Sequence, residues 1–174
     1  MSLTFILGGA RSGKTSHALA RARELSQGRL IMIATAQALD AEMAQRIARH
    51  QAERDEAWTT IEAPLDLAGA VRGLAAGDVA VIDCLTLWLT NQMLAEADIG
   101  LVVADLVDAL AQSPAALVVI SNEVGQGIVP DNALARRFRD EAGWMHQKVA
   151  AAADRVEAVM AGLPLPLKGG TVRE

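Results

Sequence analysis

A glycine-rich segment near the start of the chain constrains the fold more than any other feature. Residues 8–15 read Gly-Gly-Ala-Arg-Ser-Gly-Lys-Thr, directly after the apolar run Leu3 to Leu7 and before a helix-compatible segment, Ser16 to Leu25. The spacing fits the pattern Gly, four residues, Gly, Lys, Ser/Thr, in which backbone N–H groups and a helix N-terminus bind phosphate. The segment therefore predicts a strand, a phosphate-binding loop and a helix in succession.

Each residue type in this loop has a physical role. Glycines let the backbone turn so that successive N–H groups point toward phosphate oxygens. Lys14 is predicted to reach the β- and γ-phosphates of a nucleotide, and the Thr15 hydroxyl to ligate Mg²⁺. The predicted phosphate contacts are Gly8, Gly9, Ala10, Arg11, Ser12, Gly13, Lys14 and Thr15. The alternative, a glycine-rich turn that binds nothing, is disfavoured by the strand and helix patterns on either side.

Apolar runs and helical periodicity alternate along the rest of the chain, which is typical of an α/β protein. Arg29 to Ala34 is a second predicted strand, and the helix between the first two strands makes a parallel crossover. The other predicted strands are Val79 to Ile82, Ala115 to Ile120, Val156 to Met160 and Leu165 to Lys168; the other predicted helices are Leu39 to about Arg54, Pro64 to Leu74, Ile99 to Leu110 and Asn132 to Ala153, with Leu85 to Ala95 helical or irregular. We expect a mostly parallel sheet flanked by helices.

Composition narrows the class of protein. Hydrophobic residues make up 52% of the 174 residues and aromatic residues only 3%, so aliphatic side chains must build the core. We expect one domain over residues 1–168 and a frayed tail over 169–174. A net charge of −5 argues against a broad nucleic-acid interface, which needs massed Lys and Arg. No apolar run approaches the roughly 20 residues that cross a bilayer. The single cysteine, Cys84, suits a reducing cytoplasm.

Asp83 follows the predicted strand Val79 to Ile82 directly. Open α/β sheets place their ligands at the carboxyl ends of strands, and phosphate-loop enzymes hold Mg²⁺ there through an acidic side chain. The alternative role is a cap for the segment that follows. Because the phosphate loop is present, we favour Asp83 as a metal ligand.

His50 lies on the apolar stripe of the predicted helix Leu39 to Arg54, and Arg46 and Arg54 lie beside it on neighbouring turns. A lone histidine on such a face is usually a packing residue. The two arginines suit a polyphosphate better than a dry core, and a neutral imidazole can attack phosphorus to give a covalent intermediate. Spacing alone leaves both roles for His50 open.

The tripeptide Ser121-Asn122-Glu123 also follows a predicted strand, so we expect it to face the same crevice as Asp83. Gly125 and Gly127 permit tight turns just after it. The segment is either a loop that contacts substrate or an ordinary connection between strand and helix, and the sequence does not decide between them.

Several motifs occur together in a characteristic order. They are Gly8 to Thr15, Ile33 to Gln37, Asp40 to Met43 with Arg46, Ile47 and His50, Asn122 to Pro130, Leu134 to Asp140, Ala142-Gly143 and Gln147. With these motifs the chain resembles, over nearly its whole length, the bifunctional adenosylcobinamide kinase and adenosylcobinamide-phosphate guanylyltransferase of cobalamin synthesis. The resemblance implies an α/β three-layer phosphate-loop NTPase fold with a mostly parallel sheet. It also implies a homotrimer with active sites near subunit boundaries.

Two reactions are implied by this resemblance. In the first, ATP or GTP phosphorylates the aminopropanol hydroxyl of adenosylcobinamide, with Lys14 as a catalytic residue. In the second, GTP donates GMP to adenosylcobinamide phosphate, which gives adenosylcobinamide-GDP and releases pyrophosphate. The family forms a guanylylated histidine, and the matching residue here is His50. Since only neutral imidazole is a nucleophile, guanylylation should fall as acid protonates His50.

The resemblance also implies further nucleotide contacts. They are Ala34, Thr35, Ala36, Gln51, Ala52, Glu53, Arg54, Glu62 and Asp83. The predicted Mg²⁺ ligands are Thr15 and Asp83, from the loop motif and the strand end. The chain departs from the family where Asp55 replaces a proline and Ala36 replaces a hydroxyl residue. Pro164 and Pro166, which the family's C-terminal strands usually lack, argue against the last predicted strand, because proline cannot donate a hydrogen bond to a neighbouring strand. The competing interpretations are a plain small-molecule kinase, in which His50 only packs, and a GTP-sensing protein without turnover.

Overall fold

Seven strands form one sheet in a computed structural model that describes residues 2–26, 28–37 and 57–170. The strands are β1 (Ser2–Gly8), β2 (Leu30–Ala34), β3 (Trp58–Glu62), β4 (Val79–Asp83), β5 (Ala116–Asn122), β6 (Arg155–Met160) and β7 (Leu163–Lys168). The helices are α1 (Lys14–Leu25), α2 (Leu67–Arg72), α3 (Leu85–Leu94), α4 (Ile99–Gln112) and α5 (Ala133–Ala152). The predicted helix Leu39 to Arg54 lies outside the described residues.

The strand order is β3-β2-β4-β5-β1-β6-β7, and every neighbouring pair is parallel except β6 with β7. Parallel strands need crossover connections, and these bring the carboxyl ends of β1 to β6 to one edge of the sheet. We call this edge the carboxyl edge. The loop after β1 and the residues after β4 and β5 meet there.

The two faces of the sheet carry separate apolar clusters. One cluster combines Phe5, Ile82 and Val119 with buried side chains of α2, α3, α4 and α5. The other combines Ile6, Val81 and Ile120 with Ala18 and Ala22 of α1. Because alternate strand residues point to opposite faces, this division confirms a sheet between two helical layers.

Three helices begin with conventional side-chain caps. Asp66, Asp98 and Asn132 each accept a hydrogen bond from a backbone N–H in the first turn of α2, α4 and α5, respectively. Helix α1 instead follows Gly13, which has no side chain to cap it. The first N–H groups of α1 therefore face the glycine-rich loop, where an anion can satisfy them.

Three elements differ from expectation or resolve an open question. The sequence analysis did not predict β3, a short strand at the edge of the sheet whose side chains are mostly exposed or half-buried. The segment expected to be helical or irregular is the regular helix α3. The strand that contains Pro164 and Pro166 is confirmed as β7, because an edge strand can accommodate residues that lack an N–H donor.

The described helices include none with both the length and the apolar character that crossing a membrane requires.

Candidate active site

The glycine-rich loop joins β1 to α1 by a tight turn. The Ser12 N–H donates to the Gly9 carbonyl oxygen at 3.3 Å, and Gly13 has a φ of 94°. A side chain at Gly13 would be strained in this left-handed conformation, so glycine is required. Arg11 also has a positive φ, 54°, which is uncommon for a residue other than glycine. The loop thus has the backbone reversal that the motif predicts.

The turn between β6 and β7 packs directly behind this loop. Gly162 donates its N–H to the Ser12 carbonyl oxygen at 2.8 Å. A Cβ on Gly8 would lie 2.8 Å from the Val159 carbonyl oxygen, and one on Gly13 would lie 3.2 Å from the Gly162 Cα. The loop is therefore held from behind by backbone contacts that leave no room for larger residues.

Two polar groups of the loop, the Lys14 side chain and the Ser12 Oγ, are buried. Lys14 is only 8% exposed, and its Nζ donates to the Gly9 carbonyl oxygen at 3.0 Å. The Ser12 Oγ is buried with no hydrogen-bond partner among the described residues. Burying an ammonium or a hydroxyl is costly unless a partner satisfies it. Phosphate oxygens are the partners that this pair of donors fits.

Thr15 and Asp83 meet at the carboxyl edge. The Thr15 Oγ1 donates to the Asp83 Oδ2 at 3.4 Å, which joins the first turn of α1 to the end of β4. A hydroxyl and a carboxylate oxygen are the hard ligands that Mg²⁺ prefers, and the ion usually completes its shell with water and nucleotide phosphates. The two residues therefore fit the metal role predicted for them.

The ends of β2, β3 and β4 lie level with one another. Ala34 pairs with Glu62 on one side and with Asp83 on the other. The structure thus brings three predicted nucleotide contacts to the same part of the carboxyl edge, with Glu62 exposed. Ala36, which lies two residues after Ala34, is half-buried.

Thr35 is fully buried, and its hydroxyl is used within the protein. The Thr35 Oγ1 donates to the Cys84 carbonyl oxygen and accepts from the Cys84 N–H, both at 2.8 Å. The Asn91 Nδ2 donates to the Thr35 carbonyl oxygen at 2.8 Å and to the Pro64 carbonyl oxygen at 3.0 Å. Thr35 therefore fastens the end of β2 to the residues that follow Asp83, while its predicted nucleotide contact stays a prediction.

Residues at the end of β5 point in opposite directions. Asn122 pairs with Gly8 in the sheet, and the Glu123 N–H donates to the Gly8 carbonyl oxygen at 3.1 Å. Ser121 is fully buried on the other face, where its Oγ lies 2.7 Å from the Nε2 of His146. Burial lowers the pKa of His146, although the charge of Glu123 opposes that shift. Only Asn122 and Glu123 of the predicted tripeptide lie beside the loop.

Sequence reasoning missed Thr86 as part of this site. The Asn122 Nδ2 donates to the Thr86 Oγ1 at 2.7 Å, which links β5 to the first turn of α3. A hydroxyl three residues after a strand-end acid is a weak signal that could have identified it. The predicted residues His50, Gln51, Ala52, Glu53 and Arg54 lie outside the described residues, so their roles stay predictions.

Comparison with solved structures confirms the fold class. The RadB recombinase has a TM-score of 0.53 with this chain at 13% sequence identity, and the match covers 90% of this chain and 73% of that one. At this level of identity the likeness concerns the fold alone. Together with the loop geometry and the parallel sheet, it supports a three-layer phosphate-loop NTPase fold.

Sequence comparisons identify the family. A family model described as "Cobinamide kinase / cobinamide phosphate guanyltransferase" matches residues 4–167. The bifunctional adenosylcobalamin biosynthesis protein CobP of Pseudomonas aeruginosa is 48% identical over 94% of this chain and 96% of its own. The bifunctional adenosylcobalamin biosynthesis protein CobU of Salmonella typhimurium is 38% identical over 95% and 99%, respectively. The chain therefore belongs to the cobinamide kinase and cobinamide phosphate guanyltransferase family.

Proposed function

We propose that this protein catalyses two successive reactions of cobalamin biosynthesis: phosphorylation of adenosylcobinamide, and transfer of GMP to the product. The observation that carries the proposal is the buried Lys14 in a phosphate-binding loop next to Thr15 and Asp83. This cluster has the chemistry of phosphoryl transfer, and it occurs in a chain that matches the family over residues 4–167. Nucleoside triphosphates and a corrinoid are the substrates.

In the kinase step, the acceptor hydroxyl attacks the γ-phosphorus of ATP or GTP, and the bond to the β–γ bridging oxygen breaks. Lys14 and the N–H groups of residues 8–15 offset the negative charge of the phosphates. Thr15 and Asp83 would hold a Mg²⁺ ion, which supplies further neutralisation of phosphate charge when it is bound. The protein contributes position and charge, so the buried setting of Lys14 strengthens its effect.

In the guanylyl step, neutral His50 attacks the α-phosphorus of GTP and pyrophosphate leaves. A phosphate oxygen of adenosylcobinamide phosphate then attacks the same phosphorus, which breaks the phosphorus–nitrogen bond and regenerates His50. We assign Arg54 to the polyphosphate, and Gln51, Ala52, Glu53 and Glu62 to the guanine nucleotide. The level placement of Glu62, Ala34 and Asp83 supports one shared nucleotide site.

The assembly and the cellular location are also part of the proposal. The family resemblance supports a homotrimer, and the single cysteine together with the nucleotide substrates supports a cytoplasmic location. Analytical ultracentrifugation with and without GTP tests the trimer directly.

The decisive experiment labels the protein with GTP carrying ³²P at the α-phosphorus, followed by denaturation and peptide mapping. We expect an acid-labile, base-stable adduct on the His50 peptide. The adduct should be absent from His50→Ala and retained in His17→Asn, a matched loss of another histidine. Its rate of formation should fall below about pH 6.5, the reference pKa of histidine, because protonated imidazole is not a nucleophile.

Other outcomes favour the competing functions. If the protein phosphorylates adenosylcobinamide but forms no adduct, the plain small-molecule kinase is the better interpretation. Binding of GTP with neither an adduct nor pyrophosphate release, in the presence of corrinoid, would leave a sensing protein.

A further inference from the structure

Asn122 occupies a central place at the carboxyl edge that neither the family match nor the phosphate-loop motif explains. Its strand, β5, lies between β1, which leads into the phosphate loop, and β4, which ends at Asp83. Asn122 pairs directly with Gly8. It also continues the alternation of Val118 and Ile120, which pack on the face that α1 covers. Its side chain is thus on the same face of the sheet as α1.

The carboxamide of Asn122 is held by its nitrogen. The Nδ2 donates to the Thr86 Oγ1 at 2.7 Å and to the Cys84 Sγ at 3.6 Å. Both acceptors are buried, with Thr86 5% exposed and Cys84 4% exposed. The Cys84 Sγ and the Thr86 Oγ1 are in turn 3.2 Å apart. The orientation of the Asn122 amide is therefore fixed by two buried side chains that also contact each other.

This arrangement leaves the carboxamide oxygen available. Within residues 2–26, 28–37 and 57–170, no donor makes a hydrogen bond to the Asn122 Oδ1. An amide oxygen only accepts hydrogen bonds. Unprotonated phosphate oxygens cannot donate a hydrogen bond to it, so the phosphates next to the loop are not its partner. A substrate hydroxyl that lies beside those phosphates has the required donor.

We propose that the Asn122 carboxamide oxygen accepts a hydrogen bond from the attacking hydroxyl of the acceptor and orients it toward the γ-phosphorus. The proposal rests on the kinase function proposed above and assigns a residue to the acceptor side of that reaction. Asn122 lies in sheet register with Gly8, at the entrance of the loop that binds the phosphates. The group is preorganised, since two buried partners fix it before substrate binds.

Asn122 orients the hydroxyl but takes no proton. The hydroxyl oxygen forms a bond to the γ-phosphorus as the bond from that phosphorus to the β–γ bridging oxygen breaks. The hydroxyl proton passes to an oxygen of the transferred phosphoryl group and then to water, and the nucleoside diphosphate leaves with the bonding electrons. An amide oxygen suits this role because it accepts a hydrogen bond without becoming charged.

The second reaction supplies an internal control. Guanylylation of His50 involves no alcohol, and the later attack on the guanylyl group comes from a phosphate oxygen. Neither step offers a hydroxyl proton to the Asn122 oxygen. Loss of the side chain should therefore impair the kinase step and spare self-guanylylation.

The test compares wild-type protein with Asn122→Ala and with Thr90→Val. Thr90 lies one turn further along α3, and its hydroxyl donates to the Thr86 carbonyl oxygen, so its variant controls for hydroxyl loss in this helix. For Asn122→Ala we expect the kcat of adenosylcobinamide phosphorylation to fall about 10- to 100-fold, with the KM for nucleotide changed less than about twofold. Thr90→Val should match wild type.

The ratio of corrinoid phosphorylated to nucleotide consumed is a second measurement. A misoriented alcohol loses the competition with water, so this ratio should fall in Asn122→Ala. Removing one anchor of the amide in Thr86→Val should give a smaller loss of the same kind. In the double variant Asn122→Ala/Thr86→Val, this ratio should be nearly the same as in Asn122→Ala alone, because both changes act through one hydrogen bond.

Equal losses of kinase activity and self-guanylylation in Asn122→Ala would overturn the proposal, since they indicate a structural role. Unchanged kinase activity would overturn it too. If Asn122→Ala does not fold, Thr86→Val decides instead. The proposal is then overturned if this variant has the same ratio of corrinoid phosphorylated to nucleotide consumed as wild type. Absence of kinase activity in the wild-type protein would refute both the proposed function and this inference. That outcome is distinguishable from failure of the inference alone, because it is seen without any variant.

Discussion

The two edges of the parallel sheet use polar side chains for different purposes. At the amino edge, Asp78 accepts hydrogen bonds from the Ala75 N–H at 2.8 Å and from two guanidinium nitrogens of Arg29 at 2.8 and 2.9 Å. Asp154 there accepts from the Leu3 N–H, also at 2.8 Å. Short internal bonds satisfy these carboxylates. The bonds from Arg29 join the starts of β2 and β4, the bond from Leu3 joins β1 to the start of β6, and the bond from Ala75 closes the turn before β4.

At the carboxyl edge, by contrast, not every buried polar atom of the phosphate loop has a hydrogen-bond partner within the part of the chain that the structure describes. The Ser12 Oγ has no partner among the described residues, and Lys14 donates to a carbonyl oxygen of its own loop. Such an arrangement costs stability, and a bound phosphate can repay it. The comparison teaches that substitutions at the amino edge should change stability, whereas substitutions at the carboxyl edge should change activity.

The largest expected effect is that of Lys14→Met, which removes the ammonium and keeps an apolar stem. We expect kcat for adenosylcobinamide phosphorylation to fall about 10²- to 10³-fold, as for the loss of one donor to developing charge. The free energy of unfolding should stay the same or rise, because a buried ammonium is costly. Steady-state kinetics and urea denaturation measure the two quantities.

Lys168→Met is the matched control for this variant. Its Nζ donates to two carbonyl oxygens at the end of α5, far along the chain from the loop. It should keep wild-type kinetics. A Lys14→Met enzyme with wild-type kcat, or one that is less stable than Lys168→Met, would contradict the contrast between the two edges.

A smaller effect of the opposite kind is expected for Asp78→Ala. The change removes the hydrogen bonds that the Ala75 N–H and the Arg29 guanidinium donate to the buried Asp78 carboxylate. At a net value of about 0.5–1.5 kcal/mol for each bond, we expect the free energy of unfolding to fall by about 1–3 kcal/mol. Kinase activity at low temperature should be unchanged. Asp105→Ala removes the exposed acceptor of Arg72 and should change neither quantity measurably. Loss of activity in folded Asp78→Ala protein would show that the edges are not independent.

The sequence predicted those parts of the molecule that depend on local patterns. The phosphate loop, its flanking strand and helix, and Asp83 at a strand end follow from spacing and from the alternation of strands and helices. The helix α3 could not be decided from periodicity, because it buries polar residues such as Thr86, Asn91 and Gln92 along with its apolar ones. Without a polar face it has no clear amphipathic pattern.

The rest depends on which strands are neighbours. Chain order does not reveal that β5 lies between β1 and β4, so the contact of Asn122 with Thr86 was not predictable. The hydrogen bonds between the Thr35 hydroxyl and the Cys84 backbone likewise depend on the pairing of β2 with β4. Strand alternation alone, however, already separates Ser121 from Asn122, and only one of the two could have faced the loop.

His146 of α5 provides the smallest and most specific test, because it packs against the face of β5 that carries Ser121, opposite the face that carries Asn122. Burial lowers its pKa in the folded protein from 6.5, against the opposing charge of Glu123. Below about pH 6.5 the unfolded chain therefore binds a proton at this residue that the folded protein resists. Stability from this group is complete above the unfolded-state pKa and is lost as the pH falls through the lower folded-state pKa.

Replacing His146 with glutamine should remove this part of the pH dependence. Glutamine keeps an N–H donor for the Ser121 Oγ but does not titrate. Between pH 7 and pH 5 the free energy of unfolding of His146→Gln should decline less steeply than that of wild type, by at most about 1.4 kcal/mol per pH unit. Urea denaturation at each pH measures the slopes. Equal slopes for wild type and His146→Gln would mean that His146 is protonated as readily in the folded protein as in the unfolded chain. The proposed contrast between the two faces of β5 would then be wrong.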